Sequence, residues 1–241
     1  MANQFVNLPA PAGNGSGAAV DTSTFGGLRT ITSSGNGFTF EPTVTIEFSN
    51  ELVPTNWAPL WTFGKPGEKV VVVAARWMRA TVSNYRGGGA PVVDCGGNDS
   101  GAQFAQLPTT PGSGIGAAVD VSGMDSFKTI HVGSKFRGAL NIEISEDGGA
   151  TYSQVATFYN PGYKSLELVA EFMRVRRVGV PQNSPGSPVV WVGAVDGAAG
   201  AAGIFVEDEG VLIAPNQFST LNLIGDGVTA TDAGGGTADI T

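Results

Sequence analysis

The chain has 241 residues, 36 of them glycine, with charged residues at only 14% and a formal net charge of −8. Sparse charge and abundant glycine exclude a helical protein with ion-paired faces and favour short strands joined by tight turns, in one large domain or two small ones. The single cysteine, Cys95, excludes an internal disulfide framework and any multi-cysteine metal site.

At the N-terminus, MANQFVNLPAPAG lacks a basic region followed by an apolar run, so no signal peptide is expected. Gly17-Ala18-Ala19-Val20-Asp21 then recurs as Gly116-Ala117-Ala118-Val119-Asp120, 99 positions later. Phe5 and Leu8 match Phe104 and Leu107 at the same offset, as do Thr30-Ile31 and Thr129-Ile130. The stretch 44–49 matches 140–145 at offset 96, and Trp77-Met78-Arg79 matches Phe172-Met173-Arg174 at offset 95. Length changes confined to loops, with apolar patches kept, mark a duplicated folding unit. The expected fold is all-β: two tandem antiparallel β-sandwich domains, jelly-roll-like, over 1–99 and 100–197, followed by a short β segment over 198–241.

The valine run in KVVVVAARWMRAT at 69–81 predicts a strand, and its counterpart SLELVAEFMRVRR at 165–177 should be one too. The same run, VVVVAA at 70–75, is too short to cross a bilayer, and a soluble protein with no membrane partner is expected. In the second copy Leu166, Leu168, Ala170 and Phe172 alternate with Glu167, Val169, Glu171 and Met173, which puts the first set on a buried face. Continuing that period would turn Arg174 and Arg176 inward, so a bulge near Met173 is expected. KTIHVG at 128–133, ALNIEIS at 139–145 and SQVATFYN at 153–160 read as further strands.

The turn SEDGGATY at 145–152 resembles the Asp-box hairpin of sialidases and other β proteins, with Ser145, Asp147, Gly149, Thr151 and Tyr152 on the motif positions. Asp147 can accept backbone N–H bonds across the turn while Gly148 and Gly149 supply positive φ. The resemblance implies a structural turn, and the carboxylates are too few for calcium. The first copy departs from it with SNELVPTNW at 49–57, keeping Ser49, Thr55 and Trp57.

Little else points to chemistry. The sole histidine, His131, stands where the first copy has Thr32, and a residue absent from the sister copy is expected at a surface or interface rather than as a catalytic base. No His or Cys cluster offers a metal site, and no cofactor is expected. GGGAP and AGGGTAD lack a following Lys-Ser/Thr, so they are turns and not phosphate loops. Trp61, Trp77 and Trp191 read as core or inter-domain anchors, and Trp57 is the candidate for ligand contact. RVRR at 174–177 reads as a solvated or subunit-contacting strand, since a nucleic-acid surface would need more positive charge.

The final segment, 198–241, holds six acids and no base, which leaves 15 acids against 13 bases for the remainder. Few large apolar side chains make it too small to bury a core alone, so a partner is expected. Its sequence VEDEGVLIAPNQFSTLNLIGDGVTATDAGGGTADIT resembles a segment of structural proteins of tailed bacteriophages: Asp208-Glu209-Gly210, then Leu221-Asn222-Leu223, Gly227-Val228-Thr229, Asp232 and Gly234-Gly235-Gly236-Thr237. The resemblance implies a non-enzymatic virion component assembled in the host bacterial cytoplasm. A capsid decoration or cement protein is the reading that follows, a homotrimer bound to the major capsid protein of the shell. Leu221, Leu223, Ile224 and Val228, with Arg174 and Arg176, are its expected interface residues. A tail, baseplate or fibre adhesin that touches carbohydrate through Trp57 is the alternative.

Overall fold

A computed structural model describes residues 3–34, 42–87, 89–98, 101–180, 187–195, 206–208, 211–214, 230–234 and 237–240. Its first nine strands are β1 (Asn3–Asn7), β2 (Gly15–Ser16), β3 (Val20–Asp21), β4 (Leu28–Ser34), β5 (Thr43–Ser49), β6 (Ala58–Phe63), β7 (Gly67–Val72), β8 (Trp77–Ser83) and β9 (Val92–Asn98). Nine more follow: β10 (Ala102–Leu107), β11 (Gly114–Ile115), β12 (Val119–Asp120), β13 (Phe127–Val132), β14 (Ala139–Ser145), β15 (Ser153–Phe158), β16 (Gly162–Glu167), β17 (Phe172–Val178) and β18 (Val190–Val195). Among the described residues there is no helix.

Strand for strand, the second nine repeat the first. Sheets ordered β1-β9-β4-β7 and β2-β8-β5-β6 form one half; β10-β18-β13-β16 and β11-β17-β14-β15 form the other, and all pairings are antiparallel. Each half is a sandwich with its own apolar cluster. Ile31, Val44, Ile46, Phe48, Met78 and Val93 belong to the first, and Ile130, Leu140, Ile142, Met173, Val175 and Val192 to the second. Both halves lie in one compact unit, 1–198.

The repeated Gly-Ala-Ala-Val-Asp phrase has a steric cause. A Cβ on Gly17 would run into the Pro9 carbonyl oxygen, and one on Gly116 into that of Pro108. The bare backbone lets Gly17 N–H reach Ala80 O and Gly116 N–H reach Val175 O, both at 2.8 Å. The closing aspartates then each cap a turn, Asp21 accepting from Ser23 N–H and Asp120 from Ser122 N–H at 2.9 Å.

The stretch 165–177 is not one bulged strand. β16 ends at Glu167 in one sheet and β17 begins at Phe172 in the other; β7 and β8 are divided in the same way. The chain crosses the sandwich between them, over Leu168–Glu171 and Val73–Arg76, where the buried Ala170, Val73, Ala74 and Ala75 are small enough to pass between layers. The crossing resets the period that a bulge was expected to reset. Met173 and Val175 point into the core, and Arg174 and Arg176 point out. In 1–198 the described bulges lie elsewhere: Leu60 on β6 is the extra residue opposite Ile46-Glu47, and Val155 on β15 the extra residue opposite Ile142-Glu143.

Residues 199–241 form a second unit. Its described strands are β19 (Val206–Asp208), β20 (Val211–Ala214), β21 (Ala230–Gly234) and β22 (Thr237–Ile240), paired antiparallel as two separate hairpins, β19 with β20 and β21 with β22. A lone two-stranded hairpin is marginal in water. Leu221, Leu223, Ile224 and Val228 lie outside the described residues.

Candidate functional site

The turn 145–151 is built as its residues predict. The Asp147 carboxylate accepts from the Thr151 amide at 2.9 Å and the Thr151 hydroxyl at 2.6 Å, and Ser145 Oγ donates to it at 2.7 Å. Gly148 and Gly149 take φ of 70° and 88°. The Thr151 hydroxyl and amide, then Ser145, hold the Asp147 carboxyl down at about 2. All of these donors come from the turn itself, so the carboxylate is a staple.

The first half carries the same staple on a different residue. Glu51 Oε2 accepts from Thr55 N–H and Thr55 Oγ1 at 2.7 Å and from Asn56 N–H at 3.0 Å, while Asn56 Nδ2 donates to Oε1 at 2.6 Å. Burial pushes Glu51 up, but the bonds from Thr55 and Asn56 together leave it below the ordinary carboxylate value. The acid precedes its threonine by four residues in both turns, and the longer glutamate also holds Asn56, the extra residue of the first loop. The signal that could have found it is an acid two residues after the matched serine in both copies.

Trp57 and Tyr152 occupy corresponding places beside these staples. The Arg79 guanidinium lies 4.2 Å from the Trp57 ring centroid, and that of Arg174 lies 3.5 Å from the Tyr152 centroid. Arg79 Nε also bonds Glu47 at 2.7 Å, and Arg174 Nε bonds Glu143 at 2.7 Å. Arg176 joins the same Glu143 carboxylate. One face of the Trp57 ring is therefore covered by the protein's own cation. Arg177 points the other way and donates to Thr110 O at 3.1 Å, so the bases of 174–177 are divided between two faces. Trp61, expected as an anchor, is 41% exposed with Lys69 Nζ 4.1 Å over its ring.

A pair of buried cations escaped the sequence reading. Arg29 is fully buried and donates to Ala75 O at 2.9 Å, Thr22 O at 3.2 Å and Val73 O at 3.3 Å. Lys128, at the matching place in the second half, donates to Asp125 O at 2.7 Å, Met124 O at 3.4 Å and Leu168 O at 3.5 Å. Each thus ties the crossing segment to its sheet. Burial lowers Arg29 to about 10 and pushes the neighbouring Cys95 thiol up. The signal was the basic residue one place before Thr-Ile in both copies.

The two halves meet on the outer face of the β10-β18-β13-β16 sheet. Phe48, at the end of β5, sets its ring 4.9 Å from that of Tyr163 in an edge-on contact and 5.4 Å from that of His131. Ala74 N–H donates to Thr129 Oγ1 at 3.0 Å, and Asn50 N–H to His131 Nδ1 at 3.4 Å. Arg76 covers Phe104 at 4.6 Å and Trp191 at 5.3 Å. His131 and Trp191 are therefore junction residues, and Trp77 stands beside them with its indole N–H on Glu51 O. Asp21, Leu52, Arg76, Trp77 and Phe104 line an open groove of about 390 Å³ along this seam.

Burial lowers His131 from 6.5 to about 4, with the Glu51 charge pulling the other way. The ring faces Glu51 and Asn50 of the first half, and Tyr163 and Trp191 flank it on its own sheet. A folded pKa below the unfolded one favours the neutral ring, so this stability is complete above pH 6.5 and is lost as pH falls toward 4. The loss should approach about 3 kcal/mol in urea unfolding across that window, and His131→Gln should remove it. A variant with the same acid sensitivity as the parent would place the effect elsewhere.

Among the described residues no three His, Cys, Asp or Glu side chains are grouped to hold a metal, and no helix is long and apolar enough to cross a membrane. No family model matches the chain, and no curated protein matches it. Among solved structures it is similar to the PBSX exported protein XepA, with a TM-score of 0.31, 11% identity, and 80% of this chain and 86% of that one covered. It is also similar to the STIV MCP, with a TM-score of 0.28, 7% identity, and coverages of 81% and 96%. The regulatory domain of Toxoplasma gondii PKA follows at 0.20, 8% identity, and coverages of 80% and 77%. Likenesses this loose carry no argument about role.

Proposed function

We propose that the chain is a non-enzymatic structural protein of a tailed-bacteriophage particle, and that it decorates the capsid as a homotrimer, binding the major capsid protein and stabilising the shell by subunit contacts. The observation that carries the reading is a division of labour along the chain. The body, 1–198, turns much of its charge on itself, in two stapled turns, the outward Arg79–Glu47 and Arg174–Glu143 pairs, and the buried Arg29, Lys128 and Arg177. The tail holds the phage-like sequence, and its described strands form only two hairpins. Such hairpins gain stability by adding to other surfaces, which suits a segment that works in an assembly.

Two measurements test this. Quantifying the chain on purified particles should give hundreds of copies; a handful per particle would favour a tail or baseplate adhesin instead. Deleting 204–241 should leave a folded body that light scattering finds monomeric, and an unchanged oligomeric mass would count against assembly through the tail. The adhesin reading is favoured by the aromatic groove at the seam, where Trp77 and Phe104 could stack on a sugar ring. Glycan binding that is lost in Phe104→Ala would support a site in that groove, and loss in Trp57→Ala instead would put the sugar beside the first turn.

A further inference from the structure

The two halves share one construction and differ in what covers it. Thr129 and His131 on β13 are buried beneath the first half, whereas their counterparts on β4, Thr30 and Thr32, are half-exposed. Phe104 packs over Gly193 and lies under Arg76; Phe5 packs over Gly96 in the same manner and is 76% exposed. The strand registers align further positions. Where the covered face carries Trp191 and Tyr163, the open face carries Asp94 and Glu68.

We infer that the outer face of the β1-β9-β4-β7 sheet, uncovered among the described residues, is a docking surface of the same kind, fitted to a protein edge that presents a guanidinium beside a small side chain. The occupant's chemistry is read from the junction inside the molecule. There the Ala74 methyl meets the bare Gly193 and Arg76 lies over Phe104. On the open face the small side chain would land over Gly96 and the guanidinium over Phe5, next to Asp94. A ring face with a carboxylate at its edge suits arginine better than two aromatic rings do, because it adds ion pairing to the cation–π contact. Asp94 is held for this by Asn7 Nδ2 at 3.1 Å.

The matching edge of a second copy does not fit that face. The free edge of its second half matches the docking edge of the first, but Glu146 replaces Asn50, Val169 replaces Ala74 and Glu171 replaces Arg76. Val169 is larger than the alanine that fits against glycine, and the Glu171 carboxylate would face Asp94. Like charges set opposite one another suppress the wrong partner. The same three positions thus keep copies from chaining head to tail and reserve the face for a cationic edge of a different protein.

The test converts the chain into its own partner. Glu146→Asn, Val169→Ala and Glu171→Arg together give the second half the docking edge of the first. Sedimentation of this full-length variant should show a mass that rises with concentration to at least double that of the wild type, and adding Phe5→Asp should return it to the wild-type value. A folded triple variant with wild-type mass overturns the inference, as does a mass gain that survives Phe5→Asp. If the triple variant does not fold, Val169→Ala with Glu171→Arg carries the test, since Val169 is itself exposed. It removes one exposed bond to Gly148 and should still give a concentration-dependent rise.

Discussion

Gly193→Val should part the two halves, while the same change at Gly96 should be nearly silent. A Cβ on Gly193 would stand 2.9 Å from both Ala74 Cβ and Phe104 Cε1 and 3.0 Å from Asn50 Nδ2, all of them held in the junction. Overpacking a filled contact of this kind costs about 1–3 kcal/mol, and here the strain is relieved by separating the surfaces. A Cβ on Gly96 would meet the Phe5 ring first, at 2.6 Å, and that ring is exposed and can swing aside. Valine also suits a strand better than glycine does, so Gly96→Val should stay within about 1 kcal/mol of the parent in either direction. Urea unfolding gives the energies, and small-angle scattering should show a larger radius for Gly193→Val alone. Equal losses at the two glycines would mean that the junction is not what Gly193 protects.

Arg29→Leu should destabilise the protein by about 2–3 kcal/mol, because Val73 O loses its donor at the centre of the first sandwich, and Thr22 O and Ala75 O are left with the Phe25 amide and the Thr22 hydroxyl alone. Burying the guanidinium is itself costly, as its lowered pKa shows, and leucine recovers that part. It does not recover the bond to the Val73 carbonyl, which cannot reach water from a fully buried residue. Arg29→Lys should retain more than half of the lost stability, since Lys128 does the corresponding task in the second half with one ammonium. Urea midpoints that are equal for Arg29→Leu and the wild type would rule out this role. Lys128→Leu should act in the same direction and by less, its bonds to Met124 and Leu168 being longer.

The sequence made the duplication legible because loops absorbed the length changes while core positions kept their kind. Strands such as 128–133 and 139–145 followed from their alternation, and the 145–152 turn from its glycines and aspartate. The crossing at 168–171 was hidden because a strand that changes sheet keeps its alternation on both sides of the break. Only the small side chains between the two parts mark it. Arg29 and Lys128 were hidden for another reason: their partners are carbonyl oxygens, which every residue has, so no side-chain pattern announces them. The junction was partly legible. Wherever the copies differ in polarity at a matched position, as at Thr32 and His131, Glu68 and Tyr163, or Asp94 and Trp191, one face is open and the other is covered.

The bulges at Leu60 and Val155 bear on how such a protein survives crowding. Both sit in strands at the rim of a sheet, β6 and β15, where unpaired backbone groups would otherwise invite a neighbour's strand. An extra residue twists the rim out of plane and breaks the even spacing that a foreign ladder would need, and Pro59 removes one donor from the same rim in the first half. Molecules held close together on a common surface are thereby kept from knitting into fibrils along their borders. The protection is local and geometric, so straightening either rim by deleting its extra residue should turn a well-behaved protein into one that gels.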